Sequence, residues 1–249
     1  MDHTISHADN LFWGNSKKLG SLGKRGVPMN PIVQVDLGAP ITLDVNGLII
    51  SATGTELPDT ETVTYTFADD GGVSPLDGAN QTGVLDVARN VTLATSHGSS
   101  VVAMTVVVTG TDIYGWPLQE SVAVAATGTS QTDATLKAFK AVTTIAITAA
   151  ADAEANTLNV GWGDVLGLPY RLAGEYDVLS FYADSTLELS SATVVGAVTT
   201  DPATATTGDV RGTITPNTAT DGSVNYRVWM KIKGTADDED AYGVDQFGG

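Results

Sequence analysis

The chain has no cysteine. Disulfide frameworks, thiolate metal sites and cysteine nucleophiles are excluded together. Histidine is nearly as scarce, with three residues in 249. His3 and His7 lie near the start and His97 stands alone in a Ser/Gly turn, so a Ser-His-Asp triad has little to draw on. Basic residues number 12 against 29 acids, for a net charge of −17. Phosphate contacts need clustered Lys and Arg, so nucleic acid is excluded as the main partner. An anionic membrane surface would repel the chain for the same reason. No apolar run approaches the roughly 18 residues of a transmembrane helix. Residues 1–20 hold Asp2, His3, His7, Asp9, Lys17 and Lys18 and lack the apolar stretch of a signal peptide, so no export signal is expected.

What is present is β-strand vocabulary. From Asp86 to Leu172, short Val/Thr/Ile runs alternate with Gly, Asp and Asn punctuation, and helix-length periodicity is missing from most of it. That pattern predicts a mainly β chain, an antiparallel β-sandwich or barrel-like domain with little helix. Strands are expected over 32–37, 61–68, 89–94, 101–109, 120–126, 142–148 and 157–161. Asn46-Gly47, between the apolar runs 41–45 and 48–51, predicts a hairpin turn. Residues 210–215 and 224–233 read as a final hairpin around Asp221-Gly222. DATLKAFKA (133–141) is the best candidate for a helical turn.

Three regions follow from composition. Residues 1–31 form an extended N-terminal arm broken by Gly14, Gly20, Gly23, Gly26, Pro28 and Pro31. Lys17, Lys18, Lys24 and Arg25 against Asp2 and Asp9 make this arm +2, leaving −19 on the remainder. Its apolar residues Leu11, Phe12, Trp13, Leu19 and Leu22 suit an arm that orders against a partner; a solvated terminus is the alternative. Residues 32–235 form a β-sandwich-type body, with a subdivision near 174 left open. Residues 236–249 form an acidic tail.

Chemistry-bearing constellations are weak. His3 and His7 have the i, i+4 spacing of a helical chelate, but their surroundings lack helical periodicity and a third ligand. The tail has the oxygen density calcium wants but not the spacing of a calcium loop, so a solvated charge cluster is the better reading. No G-x-S-x-G elbow and no phosphate-binding loop occur; GWGDVLG (161–167) reads as a tight loop ended by Pro169. Asn80-Gln81-Thr82 and Asn90-Val91-Thr92 match the glycosylation sequon by chance. A carboxylate pair for glycoside hydrolysis stays open, since acids are abundant. No catalytic residue, metal or cofactor is assigned. Trp116, in Tyr114-Gly115-Trp116-Pro117, is placed at a hairpin tip. There Tyr114 and Trp116 serve either as an interface anchor or as packing for a curled loop.

Three phrases carry a resemblance. TGTDIYGWPLQESV (109–122), KAFKAVTTIAI (137–147) running on to VGWGDVLGLPYRL (160–172), and TTGDVRGTITP (206–216) leading to DGSVNYRV (221–228) resemble auxiliary head proteins of tailed bacteriophages, the decoration or cement proteins. The resemblance implies a non-enzymatic virion protein, made in the host cytoplasm. It would bind the major capsid protein on the outer capsid surface, associate with its own copies as a homotrimer, and stabilise the shell by bridging capsomers. The arm lies outside the resembling phrases. Its residues Leu11, Phe12, Trp13, Lys17, Lys18, Lys24 and Arg25 are the candidate capsid contacts on their own chemistry. The alternatives are another virion β-module (head fibre, tail tube or capsid subunit) and a carbohydrate-binding or hydrolytic β-sandwich.

Overall fold

The computed structural model describes residues 32–67, 78–80, 82–149, 151–232 and 241–246. Within them lie fourteen strands: β1 (Ile32–Gly38), β2 (Asp44–Ala52), β3 (Thr62–Thr66), β4 (Val84–Ser96), β5 (Met104–Thr111), β6 (Pro117–Val124), β7 (Ser130–Ala134), β8 (Phe139–Ala149), β9 (Thr157–Gly167), β10 (Val178–Ala183), β11 (Thr186–Leu187), β12 (Thr193–Val195), β13 (Thr213–Thr215) and β14 (Tyr226–Lys231). All the pairings between them are antiparallel. The fold is an antiparallel β-sandwich, as the sequence predicts. Among the described residues no helix is long and apolar enough to cross a membrane.

A ten-stranded sheet folds over on itself to make the larger core. One leaf runs β2-β9-β4-β7 and the other β3-β8-β5-β6. They are continuous along one edge, where Val84 and Arg89 of β4 pair with Ala141 and Phe139 of β8. Alternation along each strand points one side inward. Ile49, Val91, Leu93, Leu158 and Val160 of the first leaf thus meet Tyr65, Val106, Val108, Ile145 and Ile147 of the second.

A second core lies at the far end of β9. The four-stranded sheet β1-β14-β10-β11 turns Val35, Phe181, Tyr226, Val228 and Met230 inward, against Leu166 and Leu168 from the end of β9 and Ile214 of β13. The Phe181 and Tyr226 rings stack at 5.8 Å. β9 therefore belongs to both cores, with Leu158, Val160 and Trp162 in the first and Leu166 in the second.

Several local readings are corrected. Asn46-Gly47 is no hairpin turn: both residues lie within β2, which runs beside β9 with register shifts. Glycine is needed at 47 because the Trp162 ring lies against its Cα, where a Cβ would overlap the ring. GWGDVLG is strand, not loop. A Cβ at Gly161 would collide with the Asp44 carbonyl, so the neighbouring β2 backbone, not a turn, selects glycine. DATLKAFKA forms no helix. Its first residues end β7, paired with β4, and Phe139 opens β8. Thr135 is drawn into a tertiary bond instead, its Oγ1 accepting from Val91 N at 2.9 Å. The expected final hairpin is also absent: β13 pairs with β9 and β12, whereas β14 pairs with β1 and β10.

Candidate functional site

The two cores are locked together by a knot of buried charges under the β5–β6 turn. Asp112 builds that turn. Its Oδ1 accepts from Tyr114 N at 2.8 Å and Trp116 N at 2.9 Å, and Gly115 supplies the left-handed residue with φ +82°. The other carboxylate oxygen, Oδ2, accepts from Arg211 at 2.5 Å. Asp112 and Arg211 are 1% and 2% exposed, so the pair sits out of water and neutralises itself. Arg211 also donates to the Tyr242 carbonyl at 3.3 Å, and its guanidinium carbon lies 5.1 Å from the centre of the Tyr114 ring.

Tyr114 is tied down a second time, its hydroxyl donating to the Pro169 carbonyl at 2.6 Å. Burial pushes that hydroxyl up to about 12, with smaller contributions from the neighbouring phenols Tyr170 and Tyr242. The Tyr242 ring meets Tyr114 edge-on at 5.5 Å and Tyr170 at 5.7 Å. Of the two readings of the tip, these contacts bear out the packing of a curled loop. It packs back on the body, yet Ile113, Tyr114 and Trp116 remain 40%, 42% and 44% exposed. Pre-ordered aromatic surface of this kind is what interface anchors use, because little side-chain entropy is left to lose.

Three further charges rivet the layer below. Glu120 accepts from Leu136 N at 2.7 Å and Lys137 N at 2.8 Å, one bond per carboxylate oxygen. Lys137 Nζ donates to the carbonyls of Gln119, Thr204 and Gln246. Asp209 accepts from Ala138 N, Arg211 N and Gly212 N. All three side chains are buried. Burial drives Glu120 up to about 7, pushes Lys137 down and raises Asp209, each against its favourable partners. Residues 241–246 complete the knot. Val244 packs with Ala203 and Val210, so a solvated reading of the tail does not extend to this segment.

Arg89, also buried, stitches the cores on another side. It donates to the carbonyls of Gly163 and Ile41 at 2.7 and 3.0 Å, to Asp86 at 3.3 Å and to Thr220 Oγ1 at 3.2 Å. Sequence reasoning missed Arg89, Lys137 and Arg211. Their local sequences, Val-Ala-Arg-Asn-Val, Thr-Leu-Lys-Ala-Phe and Asp-Val-Arg-Gly-Thr, do not set them apart from the other basic residues outside the arm.

The remaining candidates separate. Leu11, Phe12, Trp13, Lys17, Lys18, Lys24 and Arg25, with His3, His7 and Asp237–Asp240, lie outside the described residues. His97 caps its own turn, its Nδ1 accepting from Ser99 N and Ser100 N. Asn90 of the second sequon is buried and accepts from Val165 N. No group of three or more metal-ligating side chains occurs among the described residues.

A cleft of about 930 Å³ gathers Asp44, Asp86 and Asp221 around Trp162 and Leu43. Each carboxylate is already engaged by backbone: Asp44 by Asn46 N, Asp86 by Ile41 N, Asp221 by Ser223 N and Val224 N. Those bonds to Ser223 and Val224 hold Asp221 below the usual carboxylate range, away from what a general acid needs.

No family model, no curated protein and no solved structure matches the chain. The class is architectural: a two-core antiparallel β-sandwich, held by buried charged side chains and presenting a half-exposed aromatic tip.

Proposed function

We propose that this chain is a structural component of a tailed-phage head, bound to the outer surface of the capsid and bracing it by bridging capsomers. One convergence carries the reading. The three phrases that resemble decoration proteins are separate in sequence, and each supplies members of one knot. Asp112 and Glu120 come from the first, Lys137 and Pro169 from the second, Asp209 and Arg211 from the third. The residues behind the resemblance are thus among those that tie the two cores together and hold Tyr114 and Trp116 at the tip.

A brace needs stiffness and contact surface, not catalysis. A subunit that binds only the assembled shell adds its binding free energy to the shell and nothing to the separated parts. The aromatic tip offers one contact. The basic arm offers another through Leu11, Phe12, Trp13, Lys17, Lys18, Lys24 and Arg25. Its partners are the major capsid protein and further copies of itself in a homotrimer.

The test is composition of the particle. The protein co-purifies with virions at a copy number near that of the capsid subunit, and light scattering of the free protein gives three times the monomer mass. Virions without it, and a monomer under all conditions, would remove the reading.

A further inference from the structure

We propose that the outer face of the four-stranded sheet is a binding site for a neutral saccharide, with the Trp229 ring as its stacking platform. This does not rest on the capsid reading. Strands β1, β14 and β10 lie side by side, and alternation sends Gln34, Arg227, Trp229, Ser180 and Tyr182 to the face opposite the core. Register places Gln34 and Ser180 on either side of Trp229, and Tyr182 beside Arg227. Trp229 sits on an inner strand, 40% exposed, so its ring is reached from solvent but not from a sheet edge.

The face is concave. Trp229, Tyr182, Gln34, Arg227 and the Asp184-Ser185 turn line a shallow, solvent-open hollow of about 470 Å³. The turn is preset. Asp184 adopts φ +51°, a conformation Asp tolerates better than most residues. It is held there by Asp184 N donating to the Asn225 carbonyl and Asn225 N donating to Asp184 Oδ1. Arg227 donates to the Asp184 carbonyl at 2.6 Å, which fixes the guanidinium at the pocket wall, and its Nε is out of water without an acceptor.

Hydrogen-bonding capacity is left over. Among the described residues the Trp229 indole N–H, the Tyr182 hydroxyl, the Gln34 amide and the Ser180 and Ser185 hydroxyls have no side-chain hydrogen bond, and neither ring contacts another aromatic.

Ligand class follows from that inventory. A pyranose has an apolar face of C–H groups ringed by hydroxyls. The C–H face suits the negative face of an indole, and the hydroxyls need mixed donors and acceptors. Asp184 and Arg227 offset each other in charge, so the lining does not select an ion. A nucleotide would stack equally well, but its phosphates would face a chain of net charge −17. A flat protein partner would leave the hollow unfilled.

The test titrates the full-length protein with maltotriose, cellotriose, mannotriose and triacetylchitotriose, read by tryptophan emission and amide chemical shifts. At least one sugar gives a saturable response at millimolar concentration or below, with shifts on β1, β10 and β14. Trp229→Ala weakens it by at least about tenfold, Gln34→Ala weakens it less, and Trp116→Ala leaves it unchanged. Gln34→Ala also serves if Trp229→Ala fails to fold. No saturable response to any of these sugars overturns the proposal. So does a response that survives Trp229→Ala, or a Trp229→Ala protein that loses self-association while the parent ignores every sugar.

Discussion

Arg211 reaches Asp112 across 99 positions of sequence, at 2.5 Å, with both side chains out of water. One end of the pair belongs to the loop entering β13 and the other to the turn between β5 and β6, so the bond closes one core onto the other. Removing one partner leaves an uncompensated buried charge, which costs about 3–5 kcal/mol. Asp112→Ala therefore destabilises the protein by about that amount in urea unfolding, and it also removes the acceptor for Tyr114 N and Trp116 N. The double variant Asp112→Ala/Arg211→Met recovers part of the loss. A cost under about 1 kcal/mol for Asp112→Ala would show that the pair is solvated.

Gly47→Ala tests the contact that replaced the expected hairpin. A methyl there overlaps the Trp162 ring, whose Nε1 is committed to the Thr42 carbonyl at 3.1 Å. Overpacking of this kind costs about 1–3 kcal/mol. The midpoint of thermal unfolding falls accordingly. Were residue 47 in an exposed hairpin turn with φ > 0, strain would be the cause and Gly47→Asn would be tolerated; the packed strand rejects Asn more strongly than Ala.

Glu120 sets a pH dependence. Its folded value, about 7, lies above the ordinary 4.5, because burial outweighs the two backbone N–H groups and Lys137. The folded state thus holds this proton more tightly than the unfolded state. The contribution is complete below about pH 4.5 and is lost as pH rises through about 7. Asp209, raised by burial as well, acts in the same sense. Melting temperatures measured across that window fall with pH from this source, and Glu120→Gln flattens the slope while lowering stability, since Gln keeps one acceptor where two are used. An unchanged slope in Glu120→Gln would assign the effect elsewhere.

The arm is separable from the body on this account. The described strands begin at Ile32, and the two described cores are assembled from residues beyond it. Deleting residues 1–27 leaves a folded sandwich that no longer attaches to particles, or attaches weakly. Moderate salt perturbs attachment little, because only four basic residues are involved and apolar contacts are unscreened. Full attachment of the deleted form would assign docking to the tip alone.

The sequence displayed its strands better than their neighbours. Period-two runs such as TVTYT and MTVVVTGT show which residues alternate, and the Asp-Ile-Tyr-Gly turn placed Tyr114 and Trp116 at a hairpin tip. Pairing at long range left no local mark: β14 lies between β1 and β10, nearly two hundred residues apart from one of them. Glycine misled twice, at 47 and 161, because a close approach by another strand selects the same residue as a turn does. The charge knot was invisible since burial of Glu120, Lys137 and Arg211 is a property of the assembled layers. Trp229 could be recognised as strand but not as outward-facing until its partners were known.

Heating particles with and without this protein shows whether it braces the shell. Genome release is followed by dye fluorescence on particles lacking it, on complete particles, and on deficient particles to which the purified protein is returned. Deficient particles release DNA at lower temperature, and added protein restores retention in a saturable way without divalent metal. Equal release temperatures in all three samples would contradict it.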